Sequence, residues 1–129
     1  MTETLLTAPE ASTALATVAP TREELRKWYS IMHLGRVLDD KAPNYLKQGL
    51  GWSYHAPCAG HDGIQVALGT TFRPAFDYLF PYYRDLTTCL AAGVTPEQIL
   101  LNGMSKASDV SSGGRHMSNH FARHDLYVW

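Results

Sequence analysis

The stretch SSGGRHMSNHFARH, near the end of the sequence, places His116, His120 and His124 four residues apart. Three histidines at that spacing would share one face of a helix and could chelate zinc. The glycines before them and the serine and asparagine between them disfavour a helix, and no carboxylate stands at ligand spacing. The residues favour a glycine-hinged loop whose Arg115 and His120 meet an anionic or proton-exchanging ligand. An ordinary polar loop is the alternative.

A second candidate site is the stretch FPYYRD, which follows a short apolar run. Arg84 offers a planar fork suited to phosphate or carboxylate. Tyr82 and Tyr83 offer flat aromatic faces with hydroxyl groups at their tips. Ligands of α/β proteins gather outside the carboxyl ends of strands, so this position favours a ligand site. The alternative is a surface pair between Arg84 and Asp85 beside core tyrosines.

A third stretch, WSYHAPCAGHDG, combines an extended segment with a helix start. Trp52 and Tyr54 alternate as they would in an extended chain. His61 and Asp62 either satisfy backbone donors at the start of the helix or form an outer layer of the site. The residues alone leave both interpretations open.

The elements that position these stretches are predicted to be mainly helices. Thr21 and Glu24 form a capping box that starts a long helix, and Pro43 and Gly49 break or end it. Helical spacing predicts that this helix buries one apolar face, made of Leu25, Trp28, Tyr29 and Met32.

Three further helices are predicted downstream. One starts near His61 and buries Ile64, Ala67 and Leu68. Another runs over 85–92 and is closed by Gly93. A third is opened by a capping box of Thr95 and Gln98 with Pro96 at the first helical position.

Strand signals are few. The run RPAFDYLFPYYRD predicts a brief buried strand that ends at Pro81, because proline cannot donate into a ladder. The closing DLYVW predicts the start of another buried strand or loop rather than a solvated end.

The composition is that of a single globular domain. The 129 residues are 45% hydrophobic and 18% charged, and the formal net charge is −1. That charge leaves no basic field for a nucleic acid. No apolar run approaches the roughly 20 residues that span a bilayer.

The first residues, MTETLLTAPEASTALATVAP, contain Glu3 and Glu10 but no lysine or arginine. Secretory signals begin with a basic region and mitochondrial presequences are rich in arginine, so neither pattern fits. We predict a flexible arm at 1–20 and an ordered domain at 21–129. Cys58 and Cys89 lie far apart, which is typical of reduced thiols and predicts a cytoplasmic protein.

Taken together, these stretches resemble one family. GWSYHAPCAGHDGIQVALGTTFRPAFDYLFPYYRDLTTCLAAGVTPEQIL followed by GGRHMSNH is similar to the alpha subunit of the thiamine-diphosphate-dependent 2-oxoacid dehydrogenases. The resemblance runs from about Leu25 to His120. It is nearest to the branched-chain (2-oxoisovalerate) type, with the pyruvate type next.

The resemblance implies roles for matching positions. Tyr82, Tyr83 and Arg84 would bind thiamine diphosphate, with Arg84 on the diphosphate. His120 corresponds to the catalytic loop histidine that assists acyl transfer to lipoamide. The implied substrate-binding residues are Tyr54, Tyr83, Met117, Ser118, Asn119 and His120. The family usually has proline where this chain has Ser118.

The implied fold is the N-terminal part of an α/β thiamine-diphosphate-binding fold, predominantly helical here with one or two short strands. Residues 21–129 would be an incomplete cofactor-binding domain. The family holds Mg²⁺ and diphosphate with a Gly-Asp-Gly motif and a downstream asparagine, which this sequence lacks, so no metal ligand is predicted in it. The glutamate that activates the cofactor belongs to the beta subunit. The chain alone is therefore expected to be inactive.

The implied reaction is the oxidative decarboxylation of a branched-chain 2-oxoacid with acyl transfer to lipoamide. The implied partners are the beta subunit of an α2β2 assembly and a lipoyl-bearing acyltransferase. Two other classes of protein are also compatible with the sequence. One is a non-catalytic helical interaction module that self-associates through exposed aromatic surface. The other, with weaker support, is a zinc-binding histidine loop.

Overall fold

A computed structural model describes residues 19–129 of the chain. The predicted N-terminal arm falls outside the described residues except for its last two positions. Four α-helices and one short 3-10 turn follow in chain order: α1 Arg22–Lys47, α2 Asp62–Thr71, α3 Leu86–Ala92, α4 Pro96–Gly103, and the 3-10 turn His124–Leu126. None of the helices in this range is long and apolar enough to cross a membrane.

Both predicted capping boxes are present. At the start of α1 the Thr21 hydroxyl accepts a hydrogen bond from the Glu24 N–H at 3.2 Å, and the Glu24 carboxylate accepts one from the Thr21 N–H at 2.8 Å. Thr95 and Gln98 form the same pair at α4. α1 runs through Pro43 without ending there, and the chain turns only at Gly49, where φ is +67°.

α3 ends as predicted. Its cap Gly93 has φ of +109°, a left-handed conformation that glycine adopts without steric cost. The N–H of Gly93 donates to the carbonyl of Leu90 at 3.1 Å. The direction in which the chain leaves α3 towards α4 is therefore determined by a single glycine.

The buried face of α1 differs from the predicted one. α1 buries Gly35, Leu38, Asp39 and Ala42. The predicted face begins about three turns earlier, at Leu25, and its Tyr29 is 66% exposed. The spacing was correctly predicted to be helical, but the fully buried residues lie in the second half of the helix, while Trp28 and Met32 of the predicted face are half-buried beside α2.

The buried face of α2 was also predicted wrongly. Ile64 is 72% exposed and Leu68 is also exposed, whereas Gln65, Val66 and Gly69 face inward. α2 packs most closely on α3, and a Cβ added at Gly69 would lie 2.5 Å from the Thr88 carbonyl oxygen. Close approach of the two helices therefore selects the face with the small residue.

The core lies between α1, α3, α4 and the segment after α1. Its central side chain is Trp52, which is fully buried and stacks on Tyr45 at 5.8 Å between ring centroids. The remaining members of the buried cluster are Leu38, Ala42, Cys58, Leu86, Cys89, Val94, Ile99 and Phe121.

Where a strand was predicted, the structure has only isolated β-bridges. Leu79 pairs in parallel with Val128, and Val128 also pairs antiparallel with Arg123. Phe80 is exposed and Leu79 only half-buried, so the prediction of a buried strand ending at Pro81 was wrong. Val128 is fully buried, in agreement with a closing segment that is not solvated. The predominantly helical content is confirmed, and residues 19–129 contain no sheet beyond these bridges.

Candidate functional site

Three separate segments bring aromatic side chains together around Tyr83. Tyr54, from the segment after α1, meets the Tyr83 ring edge-on at 5.5 Å between centroids. Tyr82 lies at 3.8 Å on the same ring. His120, from the loop after α4, stacks near it at 6.3 Å. Four of the predicted site residues therefore form one cluster.

Arg84 borders this cluster. Its guanidinium carbon lies 5.4 Å from the centroid of the Tyr83 ring, within range of a cation–π interaction. Its Nη1 donates to the carbonyl of Pro57 at 3.3 Å. Its backbone carbonyl accepts from the side chain of Gln65 on α2 at 2.8 Å. The arginine is thus held from both sides, and its fork also interacts with the Tyr83 hydroxyl.

The alternative of an Arg84–Asp85 surface pair is not observed. Asp85 instead accepts a hydrogen bond from the backbone N–H of Tyr82 at 2.8 Å. No ion pair of Arg84 occurs within the described part of the chain. The fork therefore keeps donors for an anionic group, and its geometry suits a diphosphate.

The three phenol groups influence one another. Side-chain hydrogen bonding with Tyr83 raises the pKa of Tyr54 and of Tyr82. The same interactions, with Tyr82 first and Tyr54 second, lower the pKa of Tyr83. The opposite directions of these pKa shifts show that Tyr83 is the centre of the interactions among the three phenols.

The loop after α4 is organised by one carboxylate. Asp109 is buried, and it accepts hydrogen bonds from the N–H groups of Ser111, Ser112 and Gly114 at 3.1 to 3.3 Å. The Ser112 hydroxyl donates to Asp109 at 3.0 Å and accepts from the N–H of His116 at 2.8 Å. The loop is therefore an ordered turn rather than a simple glycine hinge.

The hydrogen bonds to Asp109 predict a pH dependence of stability. Burial raises the pKa of Asp109, but the hydrogen bonds from Ser111, Ser112 and Gly114 outweigh it and lower the pKa below 3.8. A depressed native pKa means that the ionised carboxylate stabilises the fold above pH 3.8 and that this stability is lost as the pH falls through the native pKa.

We expect Asp109→Asn to reduce the free energy of unfolding by about 1–3 kcal/mol at neutral pH, since partly buried N–H groups lose a charged acceptor. The difference from wild type should narrow as the pH falls below 3.8. Urea unfolding at several pH values measures both quantities, with Asp40→Asn on the exposed side of α1 as the control. A difference independent of pH would contradict this role for the Asp109 charge.

Ser118 and Asn119 anchor the loop to α4. The Ser118 hydroxyl donates to the carbonyl of Gly103 at 3.1 Å, and the Asn119 N–H donates to the side chain of Asn102 at 3.0 Å. Both residues are buried, and the side-chain amide of Asn119 has no hydrogen-bond partner among the described residues. Ser118 thus fixes the loop by a hydrogen bond to the end of α4.

Met117 and His120 lie on the open side of the same loop. Both line a cavity of ≈390 Å³. Nδ1 of His120 lies 3.1 Å from the carbonyl oxygen of Ser118, which orients the ring. The two residues with exposed side chains therefore face this cavity, which Pro81 and Trp129 also line, and the two buried ones support them.

The histidine series does not form one helix face. His116 is exposed in the loop, and His124 lies in the 3-10 turn with its ring edge-on to Trp129 at 4.4 Å. Within residues 19–129 no group of three or more histidine, cysteine or carboxylate side chains is arranged to hold a metal ion. The structure therefore lends no support to the zinc alternative or to a Mg²⁺ ligand set in these residues.

One polar contact of the site region had not been predicted. Asp39, on the inner face of α1, accepts a hydrogen bond from the N–H of Cys58 at 2.9 Å, and its other oxygen lies 3.3 Å from Nε2 of His55. The pKa of Asp39 is raised, and the main reason is the burial of its carboxylate. A feature of the sequence could have indicated this contact. Asp39 stands four residues after Gly35 and three before Ala42, so its carboxylate lies on the same packed face of the helix.

Cys58 beside this pair is not a reactive thiol. Burial raises the pKa of Cys58 to about 11, and its sulfur lies 3.6 Å from the Thr87 hydroxyl. A thiol with such a pKa is protonated at neutral pH and a poor nucleophile.

Comparison with known proteins places this arrangement in a family. The model for the family described as "Dehydrogenase E1 component" matches residues 29–127. The chain belongs to this family.

Three relatives show which proteins the chain is similar to. The chain is 33% identical to the 2-oxoisovalerate dehydrogenase subunit alpha of Bacillus subtilis over 103 residues, which is 80% of this chain and 31% of that protein. It is 33% identical to the pyruvate dehydrogenase E1 component subunit alpha of Mycoplasma genitalium over 71% of this chain and 26% of that protein. It is 35% identical to a 3-methyl-2-oxobutanoate dehydrogenase subunit alpha of Mycobacterium tuberculosis over 60% of this chain and 21% of that protein.

These matches confirm the resemblance to the alpha subunits of 2-oxoacid dehydrogenases. The chain spans less than a third of the length of each of these relatives.

Proposed function

We propose that this chain contributes part of the cofactor and substrate site of a thiamine-diphosphate-dependent 2-oxoacid dehydrogenase. The observation that carries the proposal is the convergence of Tyr54, Arg84 and His120 on Tyr83 from three segments of the chain. Membership of the E1 family supports thiamine diphosphate as the cofactor.

The residues present suit that cofactor. Arg84 has donors left for the diphosphate, and the faces of Tyr82 and Tyr83 suit the organic rings. When bound, thiamine diphosphate supplies a centre that stabilises the carbanion left when carbon dioxide departs from the 2-oxoacid. The Mg²⁺ that accompanies the diphosphate would take its ligands from outside residues 19–129.

The remaining residues would act on the 2-oxoacid. Tyr54 would contact its side chain, and Tyr83 would lie between the cofactor and the substrate. The loop 117–120 would close over the site and exclude water, and His120 would exchange a proton during acyl transfer. The support is the position of Met117 and His120 on the open side of an anchored loop.

We further propose a branched-chain 2-oxoacid as the substrate and lipoamide as the acceptor. The relatives from Bacillus subtilis and Mycobacterium tuberculosis support this choice, and the Mycoplasma relative supports pyruvate as the alternative. The proposed partners are a beta subunit, in a cytoplasmic heterotetramer, and a lipoyl-bearing acyltransferase. Without the beta subunit the chain is proposed to be inactive.

A decarboxylation assay tests this proposal. The enzyme that contains this chain, assembled with its beta subunit, should release carbon dioxide from 3-methyl-2-oxobutanoate faster than from pyruvate, and only with thiamine diphosphate present. The chain alone should release none. Faster turnover of pyruvate would favour the pyruvate type, and turnover independent of thiamine diphosphate would contradict the cofactor assignment.

One observation favours a second candidate function. Leu25, Tyr29, Ile64 and Leu68 are exposed on α1 and α2, as a surface that pairs with another protein would require. On this alternative the chain is a non-catalytic interaction module. Light scattering during size exclusion would then show one defined oligomer of the chain alone, with no affinity for thiamine diphosphate.

A further inference from the structure

The segment between α1 and α2 that contains Tyr54 has no regular secondary structure over 52–58. It is held at its first residue by the N–H of Trp52, which donates to the carbonyl of Gly103. Further along, the carboxylate of Asp39 on α1 holds the segment at His55 and Cys58, and Arg84 donates to the carbonyl of Pro57. The position of Tyr54 therefore depends on a small number of contacts.

Asp39 holds this segment at two points. One of its oxygens accepts the Cys58 N–H at 2.9 Å, and the other lies 3.3 Å from Nε2 of His55. The side chain of Asp39 is 3% exposed and that of His55 10%. Charges removed from water interact strongly, and a buried carboxylate that loses its partner is costly, so the contact with Asp39 restricts where the His55 ring can lie.

His55 directly follows Tyr54 in the chain, so a restrained His55 side chain limits the directions in which the Tyr54 ring can point. His55 is drawn inward to Asp39, while the ring of Tyr54 meets Tyr83 edge-on, at an interplanar angle of 80°. We propose that Asp39 and His55 form a positioning pair that sets the ring of Tyr54 against Tyr83. The consequence for substrate selection rests on the function proposed above for Tyr54.

Only one ring nitrogen of His55 takes part. Nε2 faces Asp39, whereas Nδ1 is buried and has no hydrogen-bond partner among the described residues. A glutamine side chain places an amide nitrogen near the position of Nε2 and has nothing to satisfy at Nδ1. The shorter asparagine reaches only as far as Nδ1. The pair should therefore tolerate glutamine and not asparagine.

The test is the fluorine NMR spectrum of the chain labelled with 3-fluorotyrosine, without any ligand. Tyr54→Phe and Tyr45→Phe assign two of the signals from the seven tyrosines. In His55→Leu and His55→Asn, we expect the Tyr54 signal to move to its position in the unfolded chain. In His55→Gln it should keep the wild-type position.

Tyr45 provides the internal control, because its ring stacks on Trp52 at the other end of the same segment. A Tyr45 signal at its wild-type position shows that the variant is folded. If His55→Leu does not fold, the comparison of His55→Asn with His55→Gln is decisive by itself. A Tyr54 signal that is unchanged in His55→Asn, or displaced equally in His55→Gln, would overturn the positioning pair.

The substrate consequence is measured separately in the assembled enzyme. His55→Asn should raise KM for the 2-oxoacid and leave the affinity for thiamine diphosphate unchanged, and His55→Gln should restore KM. If the Tyr54 signal moves but KM does not, the positioning pair stands and the substrate role proposed for Tyr54 fails.

Discussion

Replacing Arg84 with glutamine should weaken thiamine diphosphate binding to the assembled enzyme by about a hundredfold, or about 3 kcal/mol, because a charged donor pair to the diphosphate is lost. Glutamine keeps a polar group of similar length but neither the charge nor the fork. The backbone of Arg84 is held by Gln65, so the segment should keep its position. Calorimetric titration with thiamine diphosphate measures the loss directly.

Two controls separate the charge of Arg84 from general effects. Arg26→Gln removes an exposed charge on α1, away from the tyrosine cluster, and should leave the affinity unchanged. Thiamine without its diphosphate should bind equally to wild type and to Arg84→Gln, since the arginine is assigned to the diphosphate. Equal affinity of the Arg84 variant and wild type for thiamine diphosphate would contradict the assignment.

The largest effect on stability is expected from Gly69→Ala, which should reduce the free energy of unfolding by about 3 kcal/mol through overpacking. The added Cβ would lie 2.5 Å from both the Thr88 carbonyl oxygen and the Cβ of Ala91. Neither atom belongs to a flexible side chain that can move aside, so α2 and α3 must separate. Urea unfolding followed by circular dichroism measures the change.

Gly63→Ala is the matched control for this substitution, since it lies on the same helix. An added Cβ there meets nothing within 4 Å, and the glycine is not in the left-handed region. Alanine restricts the unfolded chain and favours the helix, so this variant should gain about 0.5–1 kcal/mol. Equal losses from the two substitutions would show that the effect of Gly69→Ala is not due to its contact with α3.

Separation of α2 from α3 should also disturb the proposed cofactor site around Arg84. Gln65 on α2 donates to the carbonyl of Arg84 and accepts from the N–H of Thr87 at 3.1 Å. Gly69 lies one turn further along the same helix. A displaced α2 therefore weakens the support of Arg84, and Gly69→Ala should bind thiamine diphosphate less tightly even where it remains folded.

The helix limits were predictable because they depend on neighbours in the sequence. A capping box uses two residues three positions apart, as Thr21 and Glu24 do, and a left-handed cap needs only Gly93. These interactions are complete within one turn of chain. The buried faces were not predictable in this way. Ile64 is exposed and Gly69 is buried because α3 packs on the side of α2 that carries Gly69, and residues near in the sequence do not determine that side.

The strand was mispredicted for a related reason. An apolar run such as DYLF favours a strand only if a partner strand pairs along it. In residues 19–129 its partner is the short segment around Val128, and the pairing is a single bridge at Leu79. The aromatic composition therefore indicated where a β-strand could pair, but the number of paired residues depended on other parts of the molecule.

By itself the sequence determined the helical character of the chain, its helix ends and, through the combination of AGHDG, PYYRD and GGRHM, its family. Those features reside in residue types and short spacings. The resemblance implied that Tyr54, Tyr83 and His120 serve one site, but only the tertiary structure decided how their rings contact one another and that Asp39 meets His55. Such contacts join residues far apart in the chain, and they exist only once packing of the helices has brought their segments together.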